Sequence, residues 1–229
     1  MNFILMLTRN DRTIADAEAV VEQALGLGIC HIGFKDIGAS PSTMRALVQR
    51  IHDGGGTSYL EVVSTTSDAI ARSIETGRAA GVDRILGGTD LTAAVRALGG
   101  NLACYFPFPG QPVDHPTRLD GSPELVAEHT RCARELGCGG VDLLAYRATE
   151  ADPIELVRAA RDALAGGVLI VAGSVNSPRR IHALAAAGVD AFTIGSAIFD
   201  GSFSPAKCDF RGQVLDVFEA CASAPRMVA

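Results

Sequence analysis

Two Gly-Ser pairs and one lysine are the positions in this sequence best suited to chemistry. Gly173-Ser174 and Gly195-Ser196 each end a short apolar run, VLIVAGS over 168–174 and DAFTIGS over 190–196. A strand that stops on glycine offers backbone N–H groups that no side chain obstructs, and a helical turn after it adds partial positive charge. Two such ends separated by one helix's worth of residues predict an anion corner, with a phosphate as its expected occupant and residues 197–200 as an extra turn. Lys35, in HIGFKD, is one of only two lysines among the 20 basic residues, the other being Lys207. An ammonium on a flexible stem can give a proton, take one, or attack a carbonyl, none of which a guanidinium does readily.

Carboxylates come next. Glu61 interrupts the apolar run SYLEVV, where an ionised acid is costly unless paired. It is expected either to meet Lys35 or Arg9 or to hold its proton. Asp142 follows Gly-Val in GGVDLL and is a further catalytic candidate, although Asp83 and Asp190 occupy the same Gly-Val-Asp context at strand starts, where a stabilising role is expected. Arg9, Tyr146 and Arg147 stand at expected strand ends and could contact a substrate carbonyl or carboxylate. The competing account makes Lys35 half of a buried structural ion pair, with Glu61 or Asp142 as partner.

Positioning these groups requires a repeated scaffold. The segments 25–35, 79–88, 135–147 and 185–196 share one order: helix end, glycine, small or apolar residue, strand. Their glycines, Gly28, Gly81, Gly137 and Gly188, are spaced at about two strand-helix units. Strands are expected near 3–8, 30–35, 58–63, 83–88, 101–106, 140–145, 167–172 and 190–195. Helices are expected near 12–26, 41–53, 67–80, 90–98, 122–136, 152–165, 177–187 and 212–222. Pro41, Pro123, Pro153 and Pro178 mark first turns, with Ser40, Ser122, Asp152 and Ser177 as caps. Eight alternating units imply an α/β protein: a single (β/α)8 TIM barrel over 1–229, with its chemistry at the C-terminal strand ends. An open doubly wound sheet lacks its usual support, because Thr8-Arg9-Asn10-Asp11 stands where a glycine-rich turn would follow the first strand. Residues 107–121 form the one long connection, read either as a lid or specificity loop or as a stiff surface excursion.

Composition narrows the partners. A net charge of −6 gives no reason to expect nucleic acid or an anionic membrane. No apolar run nears the roughly 18 residues that span a bilayer, and the chain opens on a strand-like segment, so a cytoplasmic location is expected. The six cysteines form no C-x-x-C pair and are expected reduced, with Cys30 and Cys104 buried in strands. The five histidines are scattered, His115 alone falling in the long loop; no metal site and no cofactor are expected, with Mg²⁺ left open. A homodimer is a further expectation for such a barrel.

The segment IVAGSVNSPRRIHALAAAGVDAFTIGSAIF resembles the ribulose-phosphate-binding barrels. That group includes indole-glycerol-phosphate synthase, histidine-pathway isomerases, thiamin-phosphate synthase and hexulose-phosphate synthase. The resemblance implies a phosphate on Gly173, Ser174, Gly195 and Ser196, and leaves the reaction open. Hexulose-phosphate synthase and orotidine-phosphate decarboxylase carry an Asp-x-Lys-x-x-Asp array on strand three, whereas LEVVSTTSD has no lysine. The metal-binding set of ribulose-phosphate epimerase has no counterpart. Schiff-base aldolases place lysine on strand six, where this chain has Tyr146-Arg147. Lysine at the end of strand two is similar to the formylfuranylmethyl-phosphate synthases, which act in triose-phosphate chemistry. The expected function is therefore a lyase or isomerase of a small phosphorylated carbonyl or sugar, through Lys35 and Glu61. A non-catalytic phosphometabolite-binding regulatory barrel is the alternative, and an enzyme for an unphosphorylated acid held by Arg9 or Arg147 a third.

Overall fold

The computed structural model describes residues 1–114 and 117–225. Eight parallel strands form one sheet: β1 Asn2–Met6, β2 His31–Lys35, β3 Thr57–Val62, β4 Arg84–Gly87, β5 Tyr105–Phe106, β6 Gly140–Leu143, β7 Val168–Val171 and β8 Ala191–Ile194. Their order is β6-β7-β8-β1-β2-β3-β4-β5. Gly139 N–H, shared between the carbonyls of Leu102 and Tyr105 at 3.1 Å each, and Asp142 N–H, donated to Pro107 O at 3.0 Å, tie β6 to the β5 segment and close the barrel.

The helices are α1 Ala17–Gly26, α2 Pro41–Asp53, α3 Ser67–Ala80, α4 Leu91–Leu98, α5 Pro123–Glu135, α6 Pro153–Leu164, α7 Pro178–Ala186, the short α8 Ser196–Phe199 and α9 Phe210–Ala222. Proline stands at the start of α2, α5, α6 and α7, where its missing N–H costs nothing. Ser40, Ser122 and Asp152 accept N–H bonds as caps, but Ser177 makes none.

The strands are apolar on both faces because both are covered. Outward residues such as Leu5, Phe34, Leu60 and Val171 pack under the helices, while Ile4, Met6, Tyr59, Leu86, Phe106 and Ile170 fill the barrel. At the lower rim Asp83 and Asp190 do the stabilising work expected of them. Asp83 accepts from Ser58 N–H at 2.7 Å, and Asp190 accepts from Leu169 N–H at 2.7 Å while pairing with Arg161.

Three further expectations need correction. The first helix begins at Ala17 rather than near 12, because Thr8–Arg9 and Arg12–Thr13 pair as a hairpin across Asn10 and Asp11, both left-handed at φ 51° and 56°. β5 has two residues rather than six, since Tyr105 N–H turns back to Leu102 O. Cys30 is exposed on the lower rim, and Cys104 is half-buried. The described residues of the 107–121 connection are held at several points: Gln111–Val113 pairs with Arg118–Asp120, Phe108 and Leu119 are buried, and Gly110 N–H reaches His129 Nδ1 at 3.2 Å. His115 lies outside the described residues.

Candidate active site

Lys35 and Glu61 are register partners on β2 and β3. Alternation with the inward Tyr59 turns Glu61 toward the barrel axis, and Gly33 makes room beside Lys35's strand: a Cβ there would lie 2.5 Å from Met6 Sδ. Lys35 is 4% exposed and Glu61 likewise 4%. The ammonium donates to Asp11 Oδ1 at 2.8 Å and faces Glu61 Oε2 at 3.5 Å. Its backbone is clamped by one side chain, Thr13, whose Oγ1 accepts from Lys35 N–H and donates to Lys35 O, both at 2.9 Å.

Asp11 is the group that sequence reasoning missed. Buried at the tip of the hairpin after β1, it also receives two bonds from Arg147: Nη2 to Oδ1 at 2.9 Å and Nη1 to Oδ2 at 3.0 Å. Burial by itself would raise its pKa. The Arg147 hydrogen bonds and the charges of Lys35 and Arg147 outweigh that effect and hold the carboxyl far below the usual carboxylate range. A signal existed: Asn-Asp between Thr-Arg and Arg-Thr suits the left-handed pair of a tight hairpin. Arg147 Nη1 reaches Thr117 O as well, at 3.0 Å, so one guanidinium joins the loops after β1, β5 and β6.

Asp142 lies deeper. Val141 and Leu143 pack outward, so the residue between them points into the barrel. It is fully buried, and among the described residues neither carboxyl oxygen has a hydrogen-bond partner. Desolvation first and the Glu61 charge second push its pKa well up, against the smaller pull of Lys35 and Arg147.

Above this layer opens a cavity of about 220 Å³. Lys35, Glu61, Asp11 and Arg147 line one side, Gly173 to Asn176 and Gly195 to Ala197 the other, with Thr8, Thr193 and Asp200 between. Gly173 at φ 74° and Ser174 at φ 58° bend the chain out of β7. A Cβ on Gly173 would stand 2.4 Å from Arg147 Nε, and one on Gly195 2.4 Å from Thr8 Oγ1. Among the described residues, the N–H groups of Gly173, Ser174, Gly195 and Ser196 donate to no backbone carbonyl.

Arg9 and Tyr146 do not reach the cavity. Arg9 is exposed and donates to Phe199 O at 2.6 Å; Tyr146 lies under the Arg180 guanidinium, 4.5 Å from its ring centroid. Asp36 turns away from Lys35 and accepts from Val63 N–H, Ser64 and Ser73. Among the described residues no cluster of three His, Cys, Asp or Glu side chains could hold a metal, and no helix is long and apolar enough to cross a membrane.

The fold is a (β/α)8 barrel. It is similar to the crystal structure of orotidine 5'-phosphate decarboxylase from Pyrococcus horikoshii OT3, with a TM-score of 0.68 over 97% of this chain and 100% of that one, at 16% identity. No protein-family model matches the sequence, and no curated protein does.

Proposed function

We propose that this chain is an enzyme acting on a small phosphorylated carbonyl compound by proton transfer, as an isomerase or a lyase. One observation carries the reading: the Gly-Ser corner and the Lys35–Glu61 pair line the same cavity. Unobstructed N–H groups at two adjacent strand ends suit a phosphate, and the structural neighbour is named for a substrate that bears one. A volume of about 220 Å³ lies below the range of about 300–1,000 Å³ that holds drug-sized ligands, which favours a substrate of a few carbons. Decarboxylation of an orotidine-like substrate is not favoured, since β3 carries Glu61 and no lysine of its own.

Lys35 and Glu61 then divide the chemistry. Glu61 removes the proton from the carbon beside the carbonyl, the C–H pair moves to the carbonyl oxygen, and the Lys35 ammonium meets the enediolate charge. Fixed between Asp11 and Glu61, Lys35 serves better as a charge than as a free amine attacking carbon. The test is incubation with dihydroxyacetone phosphate or glyceraldehyde 3-phosphate in D₂O, with borohydride trapping in parallel. Deuterium entering the carbon acid without an adduct supports the proposal, and a Lys35 adduct replaces it with Schiff-base chemistry. Thermal stabilisation with neither exchange nor adduct favours the regulatory barrel. No stabilisation by any triose phosphate or by inorganic phosphate removes the phosphate reading altogether.

A further inference from the structure

Among the described residues, Asp142 is the buried carboxyl of this layer that neither takes part in the reaction above nor holds one of its cations by a hydrogen bond. Its surroundings are well defined. Beside it along the sheet, β7 presents Ile170, its register partner, and the barrel interior adds the apolar side chains of Leu86 on β4 and Phe106 on β5. The charged groups that act on it are Glu61 on β3, Lys35 on β2 and Arg147 beyond the end of β6.

Three carboxyls, Asp11, Glu61 and Asp142, share the upper interior with two cations, Lys35 and Arg147, while Arg84 stacks on the Tyr59 and Phe106 rings nearer the lower rim. Arg147 is matched by Asp11 through two hydrogen bonds, and Lys35 stands within ion-pair distance of Glu61. A third ionised carboxylate would be an uncompensated charge in an interior that excludes water, a far larger cost than keeping a proton. The carboxyl to be neutral is the one that no donor touches, Asp142.

We propose that Asp142 is the proton-carrying partner of Glu61, the two carboxyls forming one acid–base unit that keeps the floor of the cavity electrically neutral throughout turnover. At rest the unit holds one proton and one negative charge, balanced by Lys35. When Glu61 takes the substrate proton, the unit becomes neutral and the enediolate carries the negative charge that Lys35 then balances. Apart from the phosphate held at the Gly-Ser corner, no step changes the net charge around Lys35, which favours forming an enediolate there without stabilising it by solvent. Asp142 touches no substrate and is a positioning residue: its proton leaves Glu61 as the single anion of the pair. The inference deepens the proton-transfer reading and rests on it for its purpose, but the protonation it asserts is measurable without any substrate.

The experiment is a pH titration of the full chain carrying aspartate labelled with ¹³C at the side-chain carboxyl, on the wild type, Asp142→Asn and Glu61→Gln. Expected is a resonance missing from Asp142→Asn that keeps the shift of a protonated acid at pH 7. In Glu61→Gln the same resonance should titrate at lower pH, because the neighbouring negative charge is gone. A carboxylate shift at pH 7 overturns the proposal, and so does a titration unmoved by Glu61→Gln. Should Glu61→Gln fail to fold, the pH profile of deuterium exchange decides. Ionisation of Asp142 gives the wild type an alkaline loss that Asp142→Asn lacks, and identical alkaline limbs overturn the proposal. A protonated, Glu61-coupled Asp142 in a protein that exchanges no substrate proton would sustain the pair and sink the enzymatic reading alone.

Discussion

Asp11 and Arg147 stand 136 positions apart and meet through two near-parallel hydrogen bonds of 2.9 and 3.0 Å. The contact joins the hairpin after the first strand to the turn after the sixth, across the mouth of the barrel. It also determines where Lys35 points, since Asp11 Oδ1 accepts from both cations. Asp11→Ala should therefore remove more than one bond: it leaves Arg147 without its carboxylate and Lys35 with Glu61 alone, in a largely dry site. A loss of about 3–5 kcal/mol is expected from urea unfolding, the usual cost of breaking a buried pair from one side. The double variant Asp11→Leu with Arg147→Met should recover part of that loss. Strict additivity of the single effects would contradict the coupling.

The same carboxyl sets an acid limit on stability. Its pKa in the folded chain is held below the unfolded value of about 3.9. A depressed carboxyl contributes its full stabilisation above the unfolded value, and that contribution drains away as pH falls through the window down to the folded one. Melting temperatures of the wild type and Asp11→Asn should thus converge as pH drops below about 4. A gap that stays constant from pH 7 to pH 3 would show that Asp11 acts without its charge.

Much of this architecture was legible in the residue order. The helices 41–53 and 67–80 were read to the residue, because Ser40-Pro41 and Gly81 punctuate them by steric rules that hold locally. Lys35 and Glu61 were legible as charges inside apolar runs. Asp11 was not, because its neighbours Arg9, Asn10 and Arg12 make the segment look like solvated loop. Only the tertiary approach of Arg147 and Lys35 turns it into the hub of the site. Arg9 failed for the opposite reason: it is placed at a strand end, but the hairpin twists its side chain outward to Phe199 O. Strand parity points Asp142 inward, yet which neighbours lack a donor for it is a property of the closed barrel alone.

Gly195→Ala and Gly173→Ala test the anion corner by crowding it. At Gly195 the added methyl would stand 2.4 Å from Thr8 Oγ1 and 3.0 Å from Thr8 O, so backbone as well as side chain must give way. At Gly173 the left-handed backbone adds strain to a contact with Arg147. Calorimetric titration with inorganic phosphate and with dihydroxyacetone phosphate should show at least about tenfold weaker binding in each variant, about 1.4 kcal/mol. Unchanged affinity for both ligands in both variants would move the phosphate elsewhere.

Thr13→Val isolates the placement of Lys35 from its charge. The hydroxyl closes two bonds on the Lys35 backbone, and valine keeps the shape while leaving a buried N–H and C=O unsatisfied. A stability loss of about 1–3 kcal/mol is expected. Deuterium exchange should fall through kcat with little change in KM, because the displaced ammonium meets the enediolate rather than the ground state. A rise in KM alone would assign Thr13 to substrate binding.

Asp142→Asn carries the sign that separates a neutral buried acid from an ion pair. With its pKa raised in the folded chain, Asp142 keeps its proton while the unfolded chain releases its own above about pH 3.9, so folding is penalised progressively as pH rises. Asparagine has no proton to release in either state and escapes that penalty. The variant should match the wild type in melting temperature near pH 3.5 and exceed it increasingly toward pH 7, the gap levelling only where the folded Asp142 itself ionises. An ion-paired Asp142 would give the reverse: a variant less stable than the wild type at pH 7, with the deficit shrinking in acid. Scanning calorimetry across that range therefore distinguishes the two electrostatic arrangements of the barrel floor by direction alone.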